Sequence, residues 1–319
     1  MSKPKKQHIV PRVYLEWFTN KKWLVNFFDR NNGKYKEQNP KTVTTITNFY
    51  TLKDENWNND YSIEKFFWAE VESKLPFILW KIDNLELLSF KEKDILATFI
   101  TFQFLRTEVF KNTVDKSAMY VMEWRHKLIC ENEDTLDLYI EQYEKDKWEK
   151  FPLSKEEYKN IYKNYNISPT NTYFLKMILW LYEDMFPIFR NMDWAFLLTK
   201  KDTSFLTSDN PFSKYSDWKE NFLSWWLTDP RTIKLFPISK NICMQLLVPN
   251  SKSSDNSMFY KEVASKKILG IYNSIIAHNS YKVIIWKDKK LIESIVKKNK
   301  LKDKEKYESI MISWPLWIR

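Results

Sequence analysis

Two glycines, Gly33 and Gly270, are all that this chain of 319 residues contains. Glycine is the residue that takes positive φ freely and lets a backbone approach a phosphate closely. With so few, the chain cannot build a Walker-type loop or a Gly-x-Gly dinucleotide turn. ATPases, GTPases, kinases and Rossmann dehydrogenases are thereby excluded in their usual forms. Its turns must be made by Asn, Asp and Pro instead. One glycine lies in Asn31-Asn32-Gly33-Lys34, a hairpin signal, because Asn-Gly tolerates the positive φ angles of such turns.

The elements on either side change character along the chain. Pro11 suits a helix start, with Leu15 and Phe18 at helical spacing behind it. A strand is predicted near 23–28, before the hairpin turn, and an irregular or extended connection over 40–47. From Tyr61 the pattern is helical: Ser62 is expected to cap a helix carrying Ile63, Phe67, Val71, Leu75 and Ile78. The span from Phe90 to Phe110 is apolar on nearly every side, as a central buried helix would be. More polar helices follow near 116–131, 133–147 and 154–165, then an apolar one from about Pro169 to Arg190. Strands return near 194–198, 204–207, 232–236 and 242–248. A polar loop over 250–256, a helix over 258–279 and a last strand over 281–286 complete the pattern. Residues 287–306 are mostly Lys with interspersed acids and read as a solvated face or mobile segment. The aromatic tail Trp314-Pro315-Leu316-Trp317 is expected to dock.

Strands, then helices, then strands predict an α+β fold. An antiparallel or mixed sheet (strands near 23–28, 194–207, 232–248 and 281–286) would carry a helical block inserted at about 61–191. No linker divides the chain, so one domain is expected over 1–319, with a basic C-terminal segment at 287–319.

No apolar run approaches the roughly 20 residues that cross a bilayer, and Met1-Ser2-Lys3-Pro4-Lys5-Lys6 lacks the apolar region of a secretory signal. Cys130 and Cys243 have no paired spacing, so no disulfide framework or zinc knuckle is indicated. The cytoplasm is the expected location. A formal charge of +10 suits a polyanionic partner such as RNA or DNA. A partner protein or a second copy of the chain remains open, and no membrane partner is expected.

Chemistry concentrates in Phe205-Leu206-Thr207-Ser208-Asp209-Asn210-Pro211-Phe212, a short buried strand opening into a polar turn. Asp209 at a strand mouth is rigidly held where sites lie. Asp and Asn before Pro also make ordinary Asx turns. Histidine is scarce. His8 precedes Arg12 in the first apolar segment, whereas His126 reads as a surface residue and His278 as a helix-end cation. Gln103, Arg106 and Thr107 share one face of the buried helix at spacings of three and four. A guanidinium there needs an anion, with Asp209 or Glu64 the candidate partner; an internal salt bridge and a ligand site are equally open. Asn273 lies on a mostly apolar helix and would orient a neighbour.

The segments His8-Ile9-Val10-Pro11-Arg12-Val13-Tyr14-Leu15-Glu16-Trp17-Phe18, Ile63-Glu64, Gln103-Phe104-Leu105-Arg106-Thr107, Phe205 to Pro211 and Phe236-Pro237-Ile238-Ser239 occur here in this order. Together they resemble an uncharacterised bacterial family, domain of unknown function 4238, over about residues 7–286. Asn273 also matches a family position. Glu108 stands where a proline is common, and Phe212 where smaller apolar residues are frequent. The resemblance implies a soluble bacterial protein of unassigned activity whose shared polar residues meet in one place. It also suggests a setting in accessory or defence gene clusters.

Those residues predict phosphodiester cleavage, of RNA before DNA, in a bacterial accessory or antiphage defence role. His8 would move the proton, Asp209 would orient it, and Arg106 with Arg12 would stabilise charge on the phosphorus. Glu64, Gln103, Thr107, Ser208, Asn210 and Asn273 would bind and position. No metal ligand set is assigned, although a magnesium- or manganese-dependent variant would use Asp209 and Glu64. The alternative is a non-catalytic module binding nucleic acid or protein, with the polar groups as a structural network. A serine hydrolase built on Ser208 would lack its elbow glycines.

Overall fold

In the computed structural model, which describes residues 6–49, 51–53, 59–200, 202–216, 227–249 and 257–301, a helical block packs on one face of a five-stranded sheet, with a four-stranded sheet and two two-stranded ones beside them. The chain enters through β1 (Lys6–His8), a short helix α1 (Arg12–Leu15) and one 3-10 turn. The hairpin β2 (Val25–Asp29) and β3 (Lys34–Gln38) forms where the Asn-Gly turn predicts it. Gly33 has φ +67, and Asp29 locks the turn by accepting from Asn31 N and Asn32 Nδ2. β4 (Thr45–Thr47), inside the span expected to be irregular, pairs antiparallel with β1 and sets His8 opposite Thr45. A two-residue pair, β5 (Leu52–Lys53) and β6 (Asn59–Asp60), leads into the helices.

The helical block runs as α2 (Ser62–Phe67), α3 (Leu75–Asp83), α4 (Phe90–Leu105), α5 (Glu108–Cys130), α6 (Glu133–Lys147), α7 (Lys155–Lys159), α8 (Ile161–Asn164) and α9 (Asn171–Arg190). Ser62 does not cap α2. Its amide and hydroxyl both donate to Asp60 instead. A π turn at Trp68–Glu72 separates α2 from α3, so the predicted single helix is two. Phe67, Val71, Leu75 and Ile78 are nonetheless buried together, because a π turn keeps the chain helical while rotating its apolar face. A capping box of Ser89 and Glu92 starts α4. The apolar span also breaks: α4 ends at Arg106, and the Thr107 side chain accepts from Phe110 N to begin α5. Thr107 is therefore a helix cap and not a member of the Gln103 face.

The remaining strands are β7 (Asp193–Leu198), β8 (Thr207–Ser208), β9 (Ser213–Tyr215), β10 (Ile233–Pro237), β11 (Ile242–Leu247), β12 (Met258–Glu262) and β13 (Val283–Trp286). They divide between a mixed five-stranded sheet, β12-β7-β11-β10-β9, and an antiparallel four-stranded sheet, β3-β2-β13-β8. The α+β class holds, with the helical block inserted between the hairpin and the later strands. Two stretches differ. The helix expected over 258–279 is the strand β12 followed by α10 (Lys266–Asn279), which Ser265 caps. The lysine-rich segment after 286 contains a packed helix, α11 (Lys289–Asn299), with Ile292, Ile295 and Val296 buried. The 250–256 loop and the tryptophan-rich tail lie outside the described residues.

Side-chain alternation in the five-stranded sheet organises the core, since successive strand residues face opposite sides. Trp194, Phe196, Phe236, Met244 and Leu246 join one apolar cluster with α1, α3, α4 and α9. Ala195, Leu197, Leu235 and Cys243 join the other, with Phe205, Leu206, α10, α11 and β13. Each fully buried large side chain is worth about 1.5–3 kcal/mol, so both faces of this sheet are firmly anchored. Among the described residues, no helix is long and apolar enough to cross a membrane.

Candidate functional site

The predicted residues fall into two groups. One group surrounds His8 and Arg106. The last turn of α4 delivers Gln103 and Arg106, both buried. Gln103 Nε2 donates to the Ile9 carbonyl at 2.8 Å, and its Oε1 accepts from Arg106 Nη2 at 3.2 Å. One amide thus ties the guanidinium to the segment that carries His8. Arg106 Nη2 also donates to Glu72 Oε1 at 3.0 Å, and the guanidinium lies 4.9 Å above the Phe67 ring. Its carboxylate partner is therefore Glu72, on the π turn, in place of the expected Asp209 or Glu64. Glu64 Oε2 accepts from the buried Gln7 at 2.9 Å.

His8 itself is partly buried. Its Nε2 lies 3.1 Å from the Lys41 carbonyl. A carbonyl can only accept, so Nε2 carries hydrogen and the neutral ring presents Nδ1 as its lone-pair nitrogen. Burial lowers the His8 pKa from its ordinary value, against upward pulls from the Lys41 carbonyl and Glu72; Arg106 adds to the lowering. Burial raises the Glu64 carboxyl, and Glu72 pushes the same way, while Gln7 and Arg106 pull it down. Glu72 and Arg106 thus act on both groups.

The second group is the strand-turn at Asp209. This carboxylate is buried, with Oδ1 accepting from Tyr281 N at 2.9 Å and Oδ2 from Lys282 N at 2.6 Å. Desolvation still raises its pKa to about 6 against those bonds. Ser208 Oγ donates to the Asn210 carbonyl and accepts from Asn210 N. Asn210 Nδ2 donates to the Asn279 carbonyl. Asn273 accepts from Leu206 N and donates to the Ser204 carbonyl, stapling α10 to the strand. Every one of these side chains is spent on backbone. Asp209 does not orient His8, and among the described residues the Ser208 hydroxyl bonds the Asn210 backbone and no base. The Asx-turn interpretation fits this segment.

Arg12 joins neither group, because its Nε donates to Glu16 at 2.7 Å on the surface. Sequence reasoning missed Gln7 and Glu72. Gln7 is adjacent to His8 in the chain, but a lone Glu72 beside Ser73 and Lys74 gives no signal before the π turn is known. His126 and Cys130 are 3.5 Å apart, yet His126 Nε2 donates to the Tyr158 carbonyl at 2.8 Å. That nitrogen cannot also take the thiol proton, and burial pushes the thiol up. Among the described residues no three His, Cys, Asp or Glu side chains gather to hold a metal ion. In particular Asp209 and Glu64 are engaged in separate networks.

The His8 group pairs a partly buried proton acceptor with a buried cation braced from two sides. No curated protein and no solved structure matches the chain. A family model described as a protein of unknown function (DUF4238) matches residues 6–290, and the chain belongs to that family.

Proposed function

We propose that the His8–Arg106 cluster cleaves phosphodiesters, with RNA as the substrate. The observation that carries this reading is the Gln103 bridge, which fixes the guanidinium relative to the segment bearing the imidazole. In the reaction, His8 Nδ1 takes the proton of a ribose 2′-hydroxyl as that oxygen attacks phosphorus. The P–O5′ bond breaks, and the proton returns to the 5′ oxygen. Arg106 stabilises the charge that builds on the equatorial oxygens, and Glu72 both braces Arg106 and favours the transient imidazolium. RNA follows from this chemistry because its nucleophile is built into the substrate.

Purified protein incubated with total RNA, tRNA and plasmid DNA, with and without magnesium or manganese, tests the reading. The expected result is RNA fragments ending in 2′,3′-cyclic phosphate and intact DNA. RNA left whole under every condition would leave the runner-up, a binding module in which the same cluster only braces the fold. The free thiols Cys130 and Cys243 suit the reducing cytoplasm, where an antiphage defence role would place such a ribonuclease.

A further inference from the structure

In the cluster at His8 the charge of Arg106 is already balanced by Glu72, and Arg106 acts on Glu64 as well. Affinity for a nucleic acid strand must therefore come from another surface. Several cations of the helical block and the hairpin, Lys36, Lys81, Lys111, Lys155 and Arg190, each meet a carboxylate, while Lys145 and Lys147 at the end of α6 are a smaller set, unpaired among the described residues.

On α11 the balance is different. Its apolar side is covered, with Ile292, Ile295 and Val296 packed into the second core cluster. Its outer side exposes Lys290, Lys297, Lys298 and, just past the C-terminus, Lys300. None of these four forms an ion pair with a carboxylate among the described residues; the acids nearby are committed, Glu293 to Lys289 and Asp288 to the amide of Lys290. Helix stability accounts for part of the pattern, since cations in a last turn complement the macrodipole. It does not account for Lys290, which sits in the first turn, where the dipole repels a cation. Four unneutralised charges on one rigid, solvent-facing side are the footprint of a phosphate backbone. Because the apolar side is already buried, the helix cannot insert into a lipid surface as an amphipathic anchor would.

Building on the reading of the His8 cluster as a ribonuclease site, we infer that the outer side of α11 is the surface that holds the RNA backbone. Lys290, Lys297, Lys298 and Lys300 contact successive phosphates of a strand whose scissile bond reaches His8. This surface reads charge and carries no sequence preference.

The test measures binding and cleavage separately, using a fluorescein-labelled single-stranded RNA at a series of salt concentrations. The variant carries Lys290→Gln, Lys297→Gln, Lys298→Gln and Lys300→Gln, which removes the charges without reversing them. The control carries Lys145→Gln and Lys147→Gln on α6. Removing four lysine–phosphate pairs should lower the slope of log affinity against log salt by about 2.8, so that between about 50 and about 200 mM salt the variant loses roughly fifty-fold less affinity than the wild type. The α6 control should bind as the wild type does. A quadruple variant that is folded by circular dichroism and binds RNA like the wild type overturns the inference, as does equal weakening in the control. Loss of sedimentation with phosphatidylserine vesicles, with RNA binding unchanged, overturns it too and makes the surface a lipid contact. Wild-type protein that binds RNA through α11 but never cuts it upholds the inference and removes the ribonuclease reading, so the two failures are distinguishable.

Discussion

The carboxylate of Asp209 and the guanidinium of Arg106 were both expected at one site, and their surroundings differ in kind. Asp209 is sealed, and main-chain amides of Tyr281 and Lys282 occupy both its oxygens. Arg106 is braced by side chains, the partly exposed Glu72 and the buried Gln103, and Glu72 also acts on His8. A buried charge satisfied by backbone cannot turn to a substrate without breaking the fold. A charge held by other side chains can be re-paired by moving those side chains, with the backbone left intact. Both groups are buried, so what separates them is the kind of partner, main chain for Asp209 and side chains for Arg106.

The largest effects should divide along this line. His8→Ala should lower RNA cleavage by about 10²–10⁴-fold, the usual worth of a proton-transfer group, with little change in melting temperature, since its ring makes one hydrogen bond to a carbonyl. Asp209→Ala should do the opposite: destabilise by about 2–5 kcal/mol by orphaning two buried amides, while the surviving folded fraction cleaves at the normal rate. Chemical denaturation read beside a cleavage assay of the folded fraction decides both. Cleavage lost in folded Asp209→Ala protein would merge the two regions into one site.

The pH dependence of stability sharpens the same contrast. Desolvation lifts Asp209 from 3.8 to about 6 in the folded protein, so the folded state binds this proton more tightly than the unfolded chain does. The stability it contributes is complete below about 3.8 and is lost as pH rises through about 6. The loss amounts to about 3 kcal/mol over that window. Asp209→Asn, which has no proton to bind there, should show a flatter profile between about pH 4 and pH 6.5, and unfolding curves at several pH values in that span check it. Identical slopes would mean that the carboxylate is better solvated than its burial implies.

A smaller effect is expected inside the reactive group. Glu72→Gln keeps an acceptor for Arg106 and removes the charge that favours protonated His8. Arg106, Glu64 and the Lys41 and Pro40 carbonyls remain around the ring or its neighbours. Cleavage should fall about tenfold, or about 1.4 kcal/mol, and the acid limb of its pH profile should move to lower pH, because the proposed reaction needs neutral His8. An unmoved acid limb would separate Glu72 from the imidazole.

Much of this molecule can be read in its residues, and the failures have physical causes. The Asn-Gly hairpin, the apolar α4 and α9 and the strand before Asp209 all announce themselves by local chemistry. The break at Arg106 does not, because no Gly or Pro marks it and the apolar run continues to Phe110; Thr107 followed by Glu108 was the available cap signal. Strand β12 reads as the start of a helix because Met258 to Glu262 contains no breaker, although Ser265 marks the true start. For α11 the spacing of Ile292, Ile295 and Val296 was present beneath the lysines. The pairing of Arg106 with Glu72 was beyond reach, since it depends on how a π turn rotates one helix against another.

Arg12 supplies the most delicate test of where the reactive group ends. Its motif position, four residues after His8, made it a second cation for the phosphate. In the folded chain it faces Glu16 one helical turn away, with 47% of its side chain exposed. An exposed i,i+4 pair is worth about 0.3–0.5 kcal/mol, so Arg12→Ala should barely change stability. Cleavage should change less than about twofold, because Arg12 is held by Glu16 while Gln103 and Glu72 hold Arg106. Pro11 precedes α1 and the Pro11 carbonyl accepts from Tyr14 and Leu15, which fixes the helix start and the direction in which Arg12 leaves it. A loss of cleavage comparable to that of His8→Ala would mean that Arg12 leaves Glu16 for the phosphate when RNA binds. The reactive region would then extend across α1, and side-chain bracing in the free protein would be too narrow a criterion for membership.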